Sequence, residues 1–111
     1  MENKLEAVDV GTGDVFADLG FHDSAERKLR VQLAMRVNEI ISEQKLPQAK
    51  VAVLFGIPQP HVSELKNYKL NRFSSERLMH FITLFDRDVE ILIRPKASGH
   101  AAGLMSVFAI V

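Results

Sequence analysis

Basic and hydrogen-bonding side chains are concentrated in the middle of the sequence, between residues 45 and 72. This segment contains five basic residues and one acid, Glu64, so its net charge is +4. Amide, imidazole and hydroxyl groups stand among the bases, at Gln59, His61 and Ser63. Such a cluster can bind a polyanion, although a basic segment can also be plain solvated surface.

Acidic side chains are concentrated at the N-terminus. Residues 1–23 contain six acids and one base, a net charge of −5, whereas the whole chain is neutral. An acidic arm can bind a basic partner, and it can equally be solvated surface. The sequence therefore indicates two oppositely charged regions that suit different partners.

No pattern in the sequence indicates catalysis or a bound cofactor. Cysteine is absent, which excludes disulfides, thiol nucleophiles and thiolate metal sites. The histidines at positions 22, 80 and 100 share no ligand spacing, and Glu39 and Glu43 fit an ordinary solvated helix face. We therefore expect no enzyme activity, no catalytic residue, no metal and no cofactor.

Length and composition predict one small cytoplasmic domain. The chain has 111 residues, of which 47% are hydrophobic and 25% are charged, as in an ordinary globular protein. No apolar run reaches the roughly 18 residues of a membrane span. The N-terminus also lacks the basic-then-apolar order of a secretion signal, so we expect no membrane partner.

Helical spacing of apolar residues extends over most of the chain. A long amphipathic helix is expected behind Asp23 and Glu26, which have the spacing of a capping box. The helix that ends at Phe55 is mostly apolar, including Ala49 and Leu54, and should be well buried. The predicted helices cover residues 14–20, 24–44, 47–55 and 59–67, and a last one starts at Ser74.

The period of the pattern changes near the C-terminus. Residues 88–95 alternate, with Val89, Ile91 and Ile93 on one side, and residues 104–111 form a second β-type run. Together they predict a β-hairpin. Because a lone hairpin is marginal in water and has exposed edges, we expect it to pack on the helices or on another copy of the chain, with a dimer interface favoured.

The two short central helices, separated at a glycine, have the pattern of a helix-turn-helix. Gly56 allows the positive φ of a tight turn, and Ala52 is small enough for the helices to cross closely. Ile57, Val62 and Leu65 would hold the pair as a rigid unit that presents one helix to the major groove. The alternative reading is an unrelated helical hairpin.

The chain resembles the XRE, or phage-repressor-like, helix-turn-helix regulators, from about Val15 to Lys96. It is most similar to the branch with HigA-type antitoxins and small regulators that carry a strand after the last helix. The resemblance implies a mainly α fold: a five-helix phage-repressor-like helix-turn-helix domain with a C-terminal β-strand or β-hairpin. The most similar stretches are Gln48-Ala49, Leu54-Phe55-Gly56-Ile57, Gln59-Pro60 and Phe73-Ser74-Ser75-Glu76-Arg77-Leu78.

The resemblance also assigns roles to polar residues. Gln59 would open the recognition helix and contact adenine, with His61 and Ser63 as further base-reading residues. Gln48 resembles the family's phosphate clamp, and Tyr68 replaces a common glycine. The residues expected to line the DNA backbone past the recognition helix are Lys66, Asn67, Lys69, Asn71 and Arg72.

Prolines replace hydroxyl residues at the starts of both central helices. Pro58 stands where the family usually has a small hydroxyl residue, and Pro47 stands where it usually has Thr. Pro60 falls in the first helical turn, where its missing N–H group costs nothing. Pro58 has no oxygen with which to cap the helix, a loss of about 1 kcal/mol. We hypothesise that a DNA phosphate accepts those N–H groups instead.

These observations lead to two hypotheses for function. The first is a sequence-specific repressor that binds double-stranded DNA as a homodimer on a palindromic operator and regulates its own gene; this repressor could also be the antitoxin of a toxin–antitoxin pair. The second is a protein-binding antitoxin that mainly neutralises a basic ribonuclease toxin, with DNA binding secondary. The expected division of the chain is an acidic arm with a short helix at 1–22, a helix-turn-helix domain at 23–86, and a dimerisation hairpin at 87–111.

Overall fold

Four α-helices form the part of the chain that this computed structural model describes, residues 21–99 and 101–110. Helix α1 packs against α4 and α3, and α2 packs against α3. The predicted helix at residues 14–20 lies outside the described residues. The bounds are α1, Phe21–Glu43; α2, Gln48–Phe55; α3, Gln59–Lys66; and α4, Ser75–Thr83.

The helices enclose one apolar core, as the spacing of apolar residues predicts. Phenylalanine rings join the helices within it: Phe55 of α2 stacks on Phe81 of α4 with ring centroids 4.0 Å apart, and Phe85 meets Phe55 edge-on at 5.5 Å. The buried apolar residues are Leu33, Ala34, Val37, Ile40, Ile41, Val51, Ala52, Phe55, Ile57, Val62, Leu65, Leu70, Phe73, Leu78, Phe81, Ile82 and Phe85.

The capping box predicted for the long helix is wrong. Helix α1 begins at Phe21, so Asp23 lies inside the helix and is not its N-cap. The Glu26 carboxylate instead accepts from Arg30 Nε at 2.9 Å and from Ser75 Oγ at 3.0 Å. A guanidinium one turn away and a hydroxyl on α4 therefore replace the predicted backbone partner of Glu26.

Helices α1, α2 and α3 end in the same way, with a residue of positive φ. After α2 this residue is Gly56, at φ 69°, and the next N–H group donates to Ala52 O at 3.1 Å. Lys45 (φ 53°) and Tyr68 (φ 60°) take the same role after α1 and α3. Tyr68 thus adopts the left-handed backbone conformation that favours glycine.

The expectation that α2 is well buried is only half correct. Val51, Ala52 and Phe55 are buried, but Val53 is 83% exposed and Leu54 is 40% exposed. An eight-residue helix that packs through one face leaves its other face in solvent. The composition of α2 predicts that the helix is apolar, but it does not predict which of its faces is buried.

The predicted C-terminal β-hairpin is wrong for this chain. Residues 88–99 and 101–110 contain no strand, and Ile91, Leu92 and Ile93 are 76%, 70% and 74% exposed. Alternating apolar residues favour extended backbone, but a strand also needs a partner strand and a covered face. The single chain supplies neither to this segment.

Two valines attach the C-terminal segment to the helices. Val89 and Val107 are partly buried and pack against the core. The Val107 N–H group donates to Gln32 Oε1 of α1 at 2.7 Å. The segment is therefore anchored at two points, while most of its apolar side chains remain exposed.

Candidate nucleic-acid interface

Helix α3 has one side locked into the core and one side turned outward. Its inward residues Val62 and Leu65 are fully buried. Gln59, its first residue, is exposed, and His61 and Ser63 are partly buried. The structure therefore brings the three predicted base-reading residues together on one short helix whose orientation is fixed by packing.

Polar and basic side chains continue from the end of α3 into the following loop. The Asn67 amide donates to Ser63 O at 2.9 Å and so closes the last turn of α3. Gln48, the predicted phosphate clamp, is the first residue of α2 and is partly buried. The five residues predicted to contact the DNA backbone are all exposed: Lys66, Asn67, Lys69, Asn71 and Arg72.

Arg72 is not a solitary cation. Its guanidinium donates from Nε to Glu64 Oε1 at 2.6 Å and from Nη2 to Glu64 Oε2 at 3.3 Å, a bidentate pair. The hydrogen bond from Arg72 lowers the pKa of the Glu64 carboxyl, and the carboxylate raises the pKa of Arg72. The charge of Arg72 is thus largely balanced within the chain, which sequence reasoning did not anticipate.

Polar side chains of α1 hold the end of α3 and the loop after it. Asn38 Nδ2 donates to Leu65 O at 3.2 Å, and Arg30 Nη1 donates to Leu70 O at 2.9 Å. Arg30 is held in turn by Glu26. These bonds fix α3 and the loop after it relative to α1, the longest of the described helices.

Arg77 makes the corresponding link from α4. Its Nη1 donates to Arg72 O at 3.0 Å, and its guanidinium lies 5.2 Å from the ring centroid of Phe73 and 5.5 Å from that of Phe81. Sequence reasoning missed Arg77, as it missed Arg30 and Asn38. Each is a polar residue beside an apolar stripe, but its partner is a backbone carbonyl that no pattern identifies.

The N-termini of α2 and α3 have no side-chain cap. Pro47 and Pro58 occupy the N-cap positions with extended backbone, and no side-chain oxygen accepts from the first turn of either helix. Ser74 shows the contrast, because its Oγ accepts from the Arg77 N–H group at 3.1 Å at the start of α4. The prediction that Pro58 leaves the start of α3 without a side-chain cap is therefore confirmed.

In the described part of the chain, no group of three or more His, Asp or Glu side chains is arranged to hold a metal ion. Within the same residues, no helix is both long enough and apolar enough to cross a membrane.

The geometry defines a class of protein. Two short helices meet at a tight turn, and the second presents polar side chains next to exposed bases, as in a helix-turn-helix DNA-binding domain. A family model described as a helix-turn-helix domain matches residues 15–94. No match is found among curated proteins.

A solved structure carries the comparison further. The chain is similar to a protein named "Putative XRE Family Transcriptional Regulator", with a TM-score of 0.75 and 46% sequence identity. The similarity covers 79% of this chain and 99% of that chain. The chain therefore belongs to the helix-turn-helix domain family, as an XRE-type helix-turn-helix regulator.

Proposed function

We propose that this DNA-binding transcriptional regulator is a repressor that binds a palindromic operator as a homodimer and controls its own gene. The observation that carries the proposal is the geometry of α3, whose inward residues Val62 and Leu65 are fully buried while Gln59 is exposed. A helix held this firmly can enter the major groove as a rigid unit. The exposed bases beyond it supply the attraction to phosphates.

Base reading is assigned to three residues of α3. Gln59 has a carboxamide that can donate to and accept from the edge of adenine, and its place at the helix start suits a base contact. Ser63 lies about one helical turn after Gln59, and His61 lies about half a turn after it; both side chains are partly exposed and can reach a base edge or a phosphate. Packing of Val62 between them fixes their direction.

Backbone binding is assigned to Gln48 and to the basic loop after α3. Lys66 and Lys69 are exposed cations, whereas Arg72 shares its charge with Glu64. We therefore assign the two lysines the larger part of the salt-dependent attraction to DNA. Asn67 and Asn71 complete the set as neutral donors to phosphate oxygens.

Fluorescence anisotropy tests this proposal. The purified protein is titrated with DNA from upstream of its own gene and with a scrambled duplex, across a salt series. We expect a preference of more than roughly a thousandfold for the native duplex and a steep fall of affinity with salt. Equal, weak binding to both duplexes would refute an autoregulating repressor.

Three variants separate base reading from phosphate binding. Gln59→Ala should weaken operator binding by about 1–3 kcal/mol and relax the preference for the native duplex. Lys66→Ala should weaken both duplexes alike and reduce the salt slope by about 1. Lys28→Ala removes an exposed base of α1 outside the proposed interface and serves as the matched control.

A second function, that of an antitoxin of the HigA type, is favoured by the acidic arm. Residues 1–23 carry a net charge of −5, with Phe16, Leu19 and Phe21 among the acids. Acidic segments with apolar anchors suit the surface of a basic protein. In this reading the arm neutralises a basic ribonuclease toxin, and DNA binding is secondary.

A further inference from the structure

We propose that residues 88–94 of two copies pair as antiparallel strands about a twofold axis through Ile91, and that this two-stranded sheet forms the dimer interface. The inference deepens the proposed homodimer and rests on it. It explains why a segment with a strand-like sequence forms no strand in the single chain. The missing partner strand is the same segment of a second copy.

The exposed apolar area of the C-terminal region is large enough for a dimer interface. Seven large apolar side chains there are between 51% and 92% exposed. A stable interface buries roughly 800 Å² on each partner, and the seven side chains together present an area of that order, although only three of them belong to the paired segment 88–94. The seven residues are Ile91, Leu92, Ile93, Leu104, Met105, Phe108 and Ile110.

The charges of the segment select an antiparallel pairing with a second copy. With the axis through Ile91, Asp88 lies opposite the partner's Arg94, and the same pair recurs at the other end of the sheet. No ion pair joins Asp88 or Arg94 to another residue within the part of the chain that the structure describes. Opposite charges in directly facing positions stabilise a sheet.

Other pairings of the same segment are less favourable. A parallel, in-register pair would place Asp88 against the partner's Asp88 and Arg94 against the partner's Arg94, and facing like charges destabilise a sheet. An axis through Glu90 would set two carboxylates against each other. An axis through Leu92 would place Glu90 opposite the partner's Arg94, but it would also set Val89 against Pro95, which has no N–H group for the ladder. Residues 88–94 therefore pair over their full length only about Ile91.

The apolar residues agree with the same register. Val89 would face the partner's Ile93, and Ile91 would face its own copy, so one side of the sheet is continuous and β-branched. Val89 already packs against the core of its own domain. The apolar side of the sheet therefore starts at the helical core of each copy and continues outward to the axis.

Charge reversal tests the pairing. In Asp88→Arg the base at 88 faces the base at 94, and in Arg94→Asp two acids face each other, so each variant alone should dimerise at least roughly tenfold more weakly than the natural chain. Mixed in equal amounts, the two variants restore both opposite-charge pairs and should form a heterodimer of near-natural affinity. Sedimentation equilibrium without DNA measures all three cases. Both residues are exposed, and far-UV circular dichroism checks that the helices are intact.

Cysteine cross-linking tests the position of the axis, because the natural chain contains no cysteine. Ile91→Cys would face its own copy within disulfide reach, whereas Leu92→Cys would be displaced from its copy by two residues along the strand, about 7 Å. Mild oxidation should therefore give covalent dimers from Ile91→Cys far faster than from the matched control Leu92→Cys.

Three outcomes would overturn the inference: a monomeric natural chain, no recovery of dimer in the mixture, or equal cross-linking at both positions. The proposed function is checked separately by anisotropy on a duplex that carries one half of the palindrome. Specific binding of a monomer to that duplex would keep the regulator and reject the sheet. A dimer that the charge reversals weaken, but that shows no preference for the native DNA, would keep the sheet and reject the regulator.

Discussion

At the scale of single residues, Pro58 determines how α3 begins. Its ring holds φ at −62°, and no side chain accepts from the first N–H groups of α3. Pro58→Ser should therefore raise the free energy of unfolding above that of Pro58→Ala by about 1 kcal/mol, because serine supplies the absent cap. Urea unfolding of both variants gives the difference.

The comparison with alanine is the control in that experiment. Replacing proline by any other residue also frees the unfolded chain, which destabilises by about 0.4–1 kcal/mol. Serine and alanine share this effect, so their difference isolates the cap. Equal stability of the two variants would show that the N–H groups of α3 gain nothing from a side-chain oxygen.

Glu64 should make the folding stability of the protein sensitive to acid. Its carboxyl has a lowered pKa, first because Arg72 donates a hydrogen bond to it and further because Arg72, His61 and Lys69 lie nearby. A carboxyl with a pKa lowered by folding stabilises the protein above its ordinary pKa, and this contribution is lost as pH falls through the folded value. Between pH 7 and about pH 3, the natural chain should lose more thermal stability than Glu64→Gln.

Thermal unfolding at a series of pH values measures that difference, with Arg72→Ala as the companion variant. Without Arg72, Glu64 loses the main cause of its lowered pKa, so Arg72→Ala should show the same reduced acid sensitivity. Parallel pH curves for the natural chain and Glu64→Gln would contradict the assignment. The pair is exposed, so the effect is expected to be small and to weaken in salt.

At the scale of elements, α1 holds the loop after α3 through Arg30. This side chain is partly buried, pairs with Glu26 and donates to the Leu70 carbonyl. Arg30→Ala removes both bonds and should lower the free energy of unfolding by about 1–1.5 kcal/mol. The loss is limited because Glu26 still accepts from Ser75 and the Leu70 carbonyl still accepts from the Phe73 N–H group. Urea unfolding provides the measurement.

Arg36→Ala is the matched control, because Arg36 pairs with Glu39 on the same helix. That pair is more exposed, and among the residues that the structure describes its arginine makes no bond to another element. Its loss should cost no more than about 0.5 kcal/mol. Similar losses for the two variants would mean that the bond from Arg30 to the loop after α3 contributes little.

The elements also show what could be predicted from the sequence. Periodicity located the four described helices, because buried apolar residues such as Val37 and Leu78 must recur on one helix face. The hairpin prediction was wrong because alternating apolar and polar residues indicate a preference for extended backbone but do not identify a partner strand. The predicted N-cap at Asp23 was wrong because α1 already begins at Phe21, two residues before it.

The candidate interface was predictable to a similar degree. The turn at Gly56 and the outward place of Gln59 follow from local spacing and are found in the structure. The pairing of Arg72 with Glu64 and the bond from Asn38 to Leu65 join residues eight and 27 positions apart. Only folding decides such contacts, so spacing within one helix could not give them.

At the scale of the whole molecule, the two charged regions separate the candidate functions. The segment from 45 to 72 carries +4 and the segment from 1 to 23 carries −5. A DNA-binding surface requires the first region alone, whereas binding of a basic protein toxin requires the second. Removing the arm therefore tests one function without removing the other.

Deletion of residues 1–20 leaves α1 complete, since that helix begins at Phe21. At about 0.15 M salt, where charges are screened beyond about 8 Å, operator affinity should stay within about threefold of the natural value. If the antitoxin proposal holds, binding of the neighbouring gene's product should be abolished. Anisotropy on the operator and a pull-down with that gene product measure the two effects.

A full-length variant separates the charge of the arm from its length. Changing the acids at positions 2, 6, 9, 14 and 18 to the matching amides keeps every residue while removing five negative charges. Loss of partner binding in this variant would assign recognition to charge, and retention would assign it to the apolar residues Phe16 and Leu19. If both variants bind the partner normally, the arm is not the antitoxin surface. If the deletion alone destroys operator binding, the arm belongs to the DNA-binding unit, and the division of the chain by charge is wrong.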